Sequence, residues 1–338
     1  MRAEASPDAD LAVVVQADAV GQLPAGTRAI VRPVTSGGRR VIHGLRPVGP
    51  ADLVHGLDVD LPIRARAPRV TTVHDLAVFD TPEAFSRYRA AGERRLIARA
   101  IRLADEVISV SRFTAERIEV HFGRSATVIP LAPAPPAGPD SVDGLGTSRL
   151  GGGSVDHDDP PDHRDLLAGL DLPDRFVLQV ATIEPRKDAS ILAQACKRIG
   201  APLVLAGAVD PRCRIPEGVH HLGRVSDHHR DLLMEAADIV AYISHYEGFG
   251  LPPVEAMARG RTVVATAVGA LPDVVGDGAR LVQPGDEEEL AQALHSLWHD
   301  APARAELGRA ARAAAARLSW RQTAATTLDV YRRLGVAV

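Results

Sequence analysis

The sequence predicts an α/β protein made of two Rossmann-like domains, each with a parallel sheet. Three observations carry that expectation. Short β-branched runs alternate with helical patterns of 3.6-residue period in both halves of the chain. A stretch over 133–165, rich in Pro, Gly, Ser and Asp, separates the halves. The length of 338 residues exceeds one ordinary core and suits two.

In the first half, strands are expected at 11–16, 28–34, 52–55, 69–73, 106–110 and 126–130. A helix is expected over 87–103, with Tyr88, Leu96, Ile97, Ala100 and Leu103 on its buried side. Another starts at a Ser111 cap and stops at Gly123. In the second half, strands are expected at 176–180, 202–206, 239–243 and 262–266. Helices are expected at 189–199, 228–237, 253–259, 287–295, 302–317 and 320–334. The stretch between the halves has almost nothing large to bury. Ordering its backbone would cost about 1–2 kcal/mol per residue, so it reads as a flexible linker or loop.

Composition narrows the function classes. Hydrophobic residues are 46% and charged residues 24%, which excludes a fibrous or wholly disordered chain. No apolar run reaches the roughly 20 residues of a bilayer span. The start, MRAEASPDAD, is polar and does not read as a secretory signal. Two cysteines, Cys196 and Cys213, cannot form a disulfide framework, so a cytoplasmic setting is expected. The net charge of -4 gives no basic field, and nucleic acid is not an expected partner. Of 39 basic residues only Lys187 and Lys197 are lysine. A lysine kept where arginine is the rule suggests a site that wants a compact ammonium.

The most informative segment is Ser244 to Gly260, SHYEGFGLPPVEAMARG. It follows a strand, turns through Gly248 and Gly250, and enters a helix with Pro253 near its first turn. Free amides and the dipole make such a terminus an anion site, and the glycines let backbone approach a ligand. Glu247 precedes the turn and Glu255 is expected in the first helical turn. A carboxylate can accept from two vicinal sugar hydroxyls, so this pair suits a sugar at one end and a ribose at the other. The same spacing also fits a plain glycine turn with Glu255 complementing the dipole.

The second segment, Ala181 to Asp188 (ATIEPRKD), lies past a strand's carboxyl end, where open α/β sheets bind ligands. Arg186 as a fork and Lys187 as a point charge suit a diphosphate. A solvated basic pair is the simpler alternative. The third is His74-Asp75 at the end of RVTTV, which reads either as a cleft-facing pair or as a satisfied turn histidine. Asp58-Val59-Asp60 and Asp8-Ala9-Asp10 are chance-level Asp-x-Asp copies, and GLGTSR at Gly144 lacks the third glycine of a dinucleotide loop. No Cys/His spacing suits zinc. His220-His221 and His228-His229 read as partnerless surface residues.

The run EGFGLPPVEAMARG followed by VVATAVGALPDVVGDGARLVQPGD resembles the donor site of glycosyltransferase family 4. ATIEPRKD resembles the family's G-T-x-E-P-R-K-N, with Ala181 for Gly and Asp188 for Asn. VHDL at Val73 and ADEVISVSRFTAERI resemble its first domain, and LSWRQTAATTLDVYRRL its closing helix. The resemblance spans about residues 50–335. It implies the GT-B architecture, two Rossmann-like domains facing each other across a cleft. The expected organisation is an acceptor-side domain over 1–132, a linker over 133–165, a donor domain over 166–318, and a helix over 319–338 crossing back. The first strand–helix unit of the family is expected to be missing, since ten residues precede LAVVVQ.

The resemblance also implies roles. Arg186 and Lys187 would hold the nucleotide diphosphate, with Thr182 beside them. Glu255 would hold the ribose. Glu247 and the backbone of Gly248, Phe249, Gly250 and Leu251 would hold the donor sugar and phosphates. His74 would reach the donor sugar, and Arg224-Val225 the base. The implied activity is retaining transfer of a hexose-type sugar from a nucleotide-diphosphate donor to a carbohydrate, lipid-linked or small-molecule acceptor. No metal and no resident cofactor are expected; the sugar nucleotide is a co-substrate. Peripheral contact with a membrane stays open. The rival readings are a truncated, inactive relative that binds nucleotide or a partner, and a related sugar-nucleotide epimerase.

Overall fold

The computed structural model describes residues 9–23, 26–35, 42–43, 45–58, 61–62, 65–135 and 165–338. Most of the expected linker, GLGTSR at Gly144, Asp8 and the pair Val59-Asp60 lie outside the described residues. The chain divides into two compact units, Met1–Leu131 with Ser319–Val338, and Ala132–Leu318.

In the first unit, β1 (Ala12–Gln16) and β2 (Arg28–Arg32) form a parallel pair. β3 (Val54–Gly56), β4 (Arg69–Val73), β5 (Glu106–Ser109) and β6 (Thr127–Val128) form a parallel sheet in that order. α1 (Ala77–Asp80) and α2 (Arg87–Leu103) follow β4, and α3 (Arg112–Phe122) follows β5. Ser111 caps α3 by accepting from Thr114 N at 3.1 Å, and Gly123 ends it at φ 62°.

The expected buried side of α2 needs correction. Its buried residues are Ala90, Ile97, Ala100 and Ile101, while Tyr88 is 93% exposed. Nine residues separate Tyr88 from Ile97. At about 100° per residue they stand on opposite sides of the helix.

The C-terminal helix (Trp320–Arg333) packs Leu328, Val330 and Tyr331 against Val70, Ile108 and Ile129. His55 on β3 ties into this seam. Its Nδ1 lies 2.7 Å from Tyr331 Oη and its Nε2 2.8 Å from Thr72 Oγ1. Burial, with the neighbouring His74 second, lowers the His55 pKa to about 4. Above pH ~6.5 this has no effect on stability. Between about 6.5 and 4 the unfolded chain takes up a proton that folded His55 refuses, so stability falls with pH by about 3 kcal/mol. Thermal unfolding of His55→Gln should lack that part of the acid slope; an unchanged slope would refute the assignment.

The second unit is a doubly wound sheet. In chain order it holds β7 (Val177–Val180), α4 (Ala189–Ile199), β8 (Leu203–Ala206) and β9 (His220–His221). Then come α5 (Asp227–Ala236), β10 (Ile239–Tyr242), α6 (Leu251–Ala258) and β11 (Val263–Thr266). α7 (Leu271–Val275), β12 (Arg280–Val282), α8 (Glu287–His299) and α9 (Ala301–Ala315) complete it. All strands are parallel, in the order β12-β11-β10-β7-β8-β9.

Alternate strand residues feed opposite cores. Leu178, Val240 and Ala265 join the side of Leu233, Met257 and Ala311, while Val177, Ile239 and Val264 join the side of Leu192, Leu294 and Trp298. Helices therefore cover both faces, which is why these strands read as unbroken apolar runs. The strand order reverses between β7 and β10. At such a switch point the loops diverge to opposite faces and leave a crevice at the carboxyl edge.

His220 and His221 also differ from the expectation of partnerless surface residues. They form edge strand β9, and His221 Nε2 lies 2.9 Å from Gly207 O. His229 Nδ1 lies 3.1 Å from Ser226 Oγ.

Candidate functional site

Two loops leave the switch point. The loop after β7 carries Thr182, Arg186 and Lys187; the loop after β10 carries Glu247, Gly248, Phe249 and Gly250, then enters α6 at Leu251. The structure braces them against each other. Gln179 is 2% exposed in β7. Its Nε2 donates to Lys187 O at 2.9 Å, and its Oε1 accepts from Ile243 N at 3.1 Å. His245 N donates to Arg186 O at 2.9 Å, and Arg186 Nη1 to Tyr246 O at 3.1 Å. Arg186 also donates from Nη2 to Glu184 Oε1 at 2.8 Å. Asp188 stands at φ 21°, a conformation that Asp and Asn tolerate better than most. It caps α4 at Ile191 N and meets His245 Nε2 at 2.8 Å.

Lys187 and Glu247 meet directly, each buried, as an ion pair between Nζ and Oε1. Lys187 Nζ also donates to Tyr242 Oη at 2.6 Å and lies 4.4 Å from that ring's centroid. Burial lowers the Lys187 pKa; the Glu247 carboxylate opposes it. Arg186 and Lys187 are therefore not a solvated pair. Both are fixed on the partners of the second loop.

The start of α6 differs from the simplest helix terminus. Gly250 precedes it at φ 93°, and no side chain caps it. A Cβ on Gly250 would run into the buried Leu271 side chain. Pro252 and Pro253 occupy the second and third helical positions and have no N–H. Amide donation from the first three positions thus comes from Leu251 alone. The dipole still points its positive end at the loop.

Glu255 is the fifth residue of α6, not in its first turn, because the helix starts at Leu251 rather than Pro253. The prolines are good first-turn residues, so the helix begins ahead of them. At that depth Glu255 is a poor complement to the dipole. Its neighbour is Arg230 of α5, with Nε 3.8 Å from Glu255 Oε2. Arg230 also meets Asp227 and Asp231, and buried Arg259 Nη2 lies 2.7 Å from Asp231 Oδ1. Burial raises the Glu255 pKa; Arg230 and Arg259 pull it back.

Arg224 is exposed and Val225 half-buried in the segment between β9 and α5. Thr182 is exposed just past β7. His74 belongs to the first unit, where it is exposed and its Nε2 lies 2.7 Å from Leu57 O. Among the described residues no group of three or more His, Cys, Asp or Glu side chains could hold a metal ion. No described helix is long and apolar enough to cross a membrane.

Comparison with known proteins bears on this arrangement. The family described as Glycosyltransferase Family 4 matches residues 5–132, and the one described as Glycosyl transferases group 1 matches residues 168–314. The O-antigen chain mannosyltransferase B of Escherichia coli is 30% identical over 304 residues, 83% of this chain and 74% of that protein. The chain belongs to glycosyltransferase family 4. A D-inositol 3-phosphate glycosyltransferase of Mycolicibacterium paratuberculosis is 31% identical over 298 residues, 80% of this chain and 62% of that one. The crystal structure of Anabaena Alr3699/HepE in complex with UDP and glucose aligns with a TM-score of 0.67 at 23% identity, over 90% of this chain and 86% of that one. The fold is GT-B, and the protein is a glycosyltransferase of that architecture.

Three residues of this family 4 site are not legible as such in the sequence: Gln179, Tyr242 and Arg230. Gln179 has a signal, a lone amide inside VLQV. Gly269 lies within the run that carries the resemblance, but its approach to Glu247 is not legible there. Tyr242 and Arg230 left none, because only the packing brings them to Lys187 and Glu255.

Proposed function

We propose that the chain transfers a hexose from a nucleoside-diphosphate donor, with retention of anomeric configuration, to a carbohydrate, lipid-linked or small-molecule acceptor. The observation that carries this reading is the meeting of Arg186, Lys187 and Glu247 across the two loops of the switch point, the second of which leads into α6. In this reading the bond from the anomeric carbon to the diphosphate oxygen breaks, and both electrons leave with the nucleoside diphosphate. The acceptor oxygen forms the new bond, and its proton passes to an oxygen of the departing diphosphate. Charge therefore builds on the leaving diphosphate. Two fixed cations and a helix terminus, already oriented before reaction, stabilise it. That supports transfer without a bound metal.

Glu255 would accept from the ribose hydroxyls, and Arg224-Val225 would lie against the base. His74 would act on the donor sugar. The Anabaena relative's complex with UDP supports a uridine or similar diphosphate. The Escherichia coli relative's name supports mannose as one donor sugar to try first.

The test is product analysis. Purified protein would be incubated with UDP- and GDP-hexoses and candidate acceptors, with the product's anomeric configuration read by NMR. Acceptor-dependent release of nucleoside diphosphate and a retained anomer are expected. Binding of nucleotide with no turnover on any acceptor would count for an inactive relative.

The Glu255 role gives its own prediction. Arg230→Met removes a cation that holds the Glu255 pKa down, so more of the carboxyl is protonated as pH falls. Donor affinity should fall about fivefold, the worth of roughly 1 kcal/mol for a partly exposed pair, and more at pH 6 than at pH 8. Equal affinities for variant and wild type at both pH values would remove Glu255 from the donor site.

A further inference from the structure

We infer that Tyr242 is a positioning residue for the diphosphate grip, its hydroxyl holding the Lys187 ammonium so that a phosphoryl oxygen can take the remaining N–H. This rests on the proposed function, whose nucleotide it refines to a specific contact.

Tyr242 ends β10 and is 4% exposed among the apolar side chains of one core. Phenylalanine or leucine would fill that place without bringing a hydroxyl into it. A buried phenol needs a partner, and its partners here are the two charged groups of the site. Its oxygen accepts from Lys187 Nζ at 2.6 Å, and its ring centroid lies 4.4 Å from the same nitrogen. Glu247 takes a second N–H of that ammonium. The group has three, so among the described residues one is left over.

The chemistry of the two partners differs. A carboxylate steadies an ammonium by cancelling its charge. A neutral hydroxyl steadies it without cancelling the charge, which stays available to an anion. Tyr242 remains neutral, because burial and the Glu247 carboxylate hold its pKa well above the usual phenol range. The same burial works against the Lys187 charge, so each favourable contact to that nitrogen counts.

The composition supplies an unusual probe. Lys187 and Lys197 are the two lysines of the chain. Full-length protein labelled with ¹³C at lysine Cε should give two signals, and Lys197→Arg assigns them. Tyr242→Phe keeps the ring and the volume, and its thermal unfolding checks the fold.

Three results are expected of Tyr242→Phe. Lys187 titrates at lower pH than in the wild type while Lys197 is unchanged. Affinity for UDP and GDP, measured by calorimetry, falls about tenfold. Affinity for UMP and GMP stays within about twofold, because they lack the second phosphate. An unchanged Lys187 titration, or an equal loss for mono- and diphosphates, would overturn the inference. If wild-type protein binds no nucleoside diphosphate at all, the proposed function falls and this inference with it. An altered Lys187 titration with unchanged diphosphate affinity would overturn the positioning role while leaving that function standing.

Discussion

Lys187→Met should abolish sugar transfer and unfold more easily, and the two effects should separate in a second variant. The methionine keeps most of the stem but removes the ammonium. Glu247 is then a carboxylate at 6% exposure with no cation against it. Breaking a buried pair from one side costs about 3–5 kcal/mol. For a unit of this size that lowers the midpoint of unfolding by roughly 10 °C. Loss of a fixed charge at the leaving group costs at least about 100-fold in turnover. In Lys187→Met/Glu247→Gln no buried charge is left alone, so most of the stability should return and none of the activity. Turnover within tenfold of wild type for Lys187→Met, measured with saturating donor, would contradict the role of the ammonium.

Gly269→Ala should be nearly as damaging, though it touches no ligand. Gly269 has φ 54°, and a Cβ there would strike the main chain of Glu247. The obstacle is backbone, which cannot swing aside like a side-chain tip. Ala270 N already donates to Glu247 O at 2.9 Å, so the two segments are locked together. Glu247 must shift. A displacement near 1 Å in a catalytic group costs about 100-fold. Gly285→Ala is the control. It has φ 80° but open space around it, so it should lose about 1–2 kcal/mol of stability and no activity. Equal turnover of the two variants would mean that the seating of Glu247 is unimportant.

Much of this protein is legible in its sequence, for identifiable reasons. β4 and helices α2 and α4 fall at their expected bounds, because caps such as Ser86 and Gly200 are local signals. β9 and β12 are two and three residues long and carry no periodicity, so pairing alone creates them. Tyr88 is apolar enough to suggest the core side of α2, yet its angle faces solvent, while Ile97 and Ala100 are buried as expected. In the site, the loops and their charges follow from motif and position at strand ends. What the sequence leaves out is the company each charge keeps: Lys187 with Tyr242, Glu255 with Arg230, Glu247 with Gly269. Those pairs come from separate elements, so only the packed sheet brings them into contact.

In the proposed function the carboxyl edge between β7 and β10 grips a diphosphate. A crystal structure of the protein with UDP or GDP tests it most directly. Phosphoryl oxygens are expected within hydrogen-bond distance of Lys187 Nζ, with Arg186 and the Leu251 amide close by. A nucleotide seated elsewhere, with Lys187 still bonded to Glu247 and Tyr242 and nothing else, would contradict it.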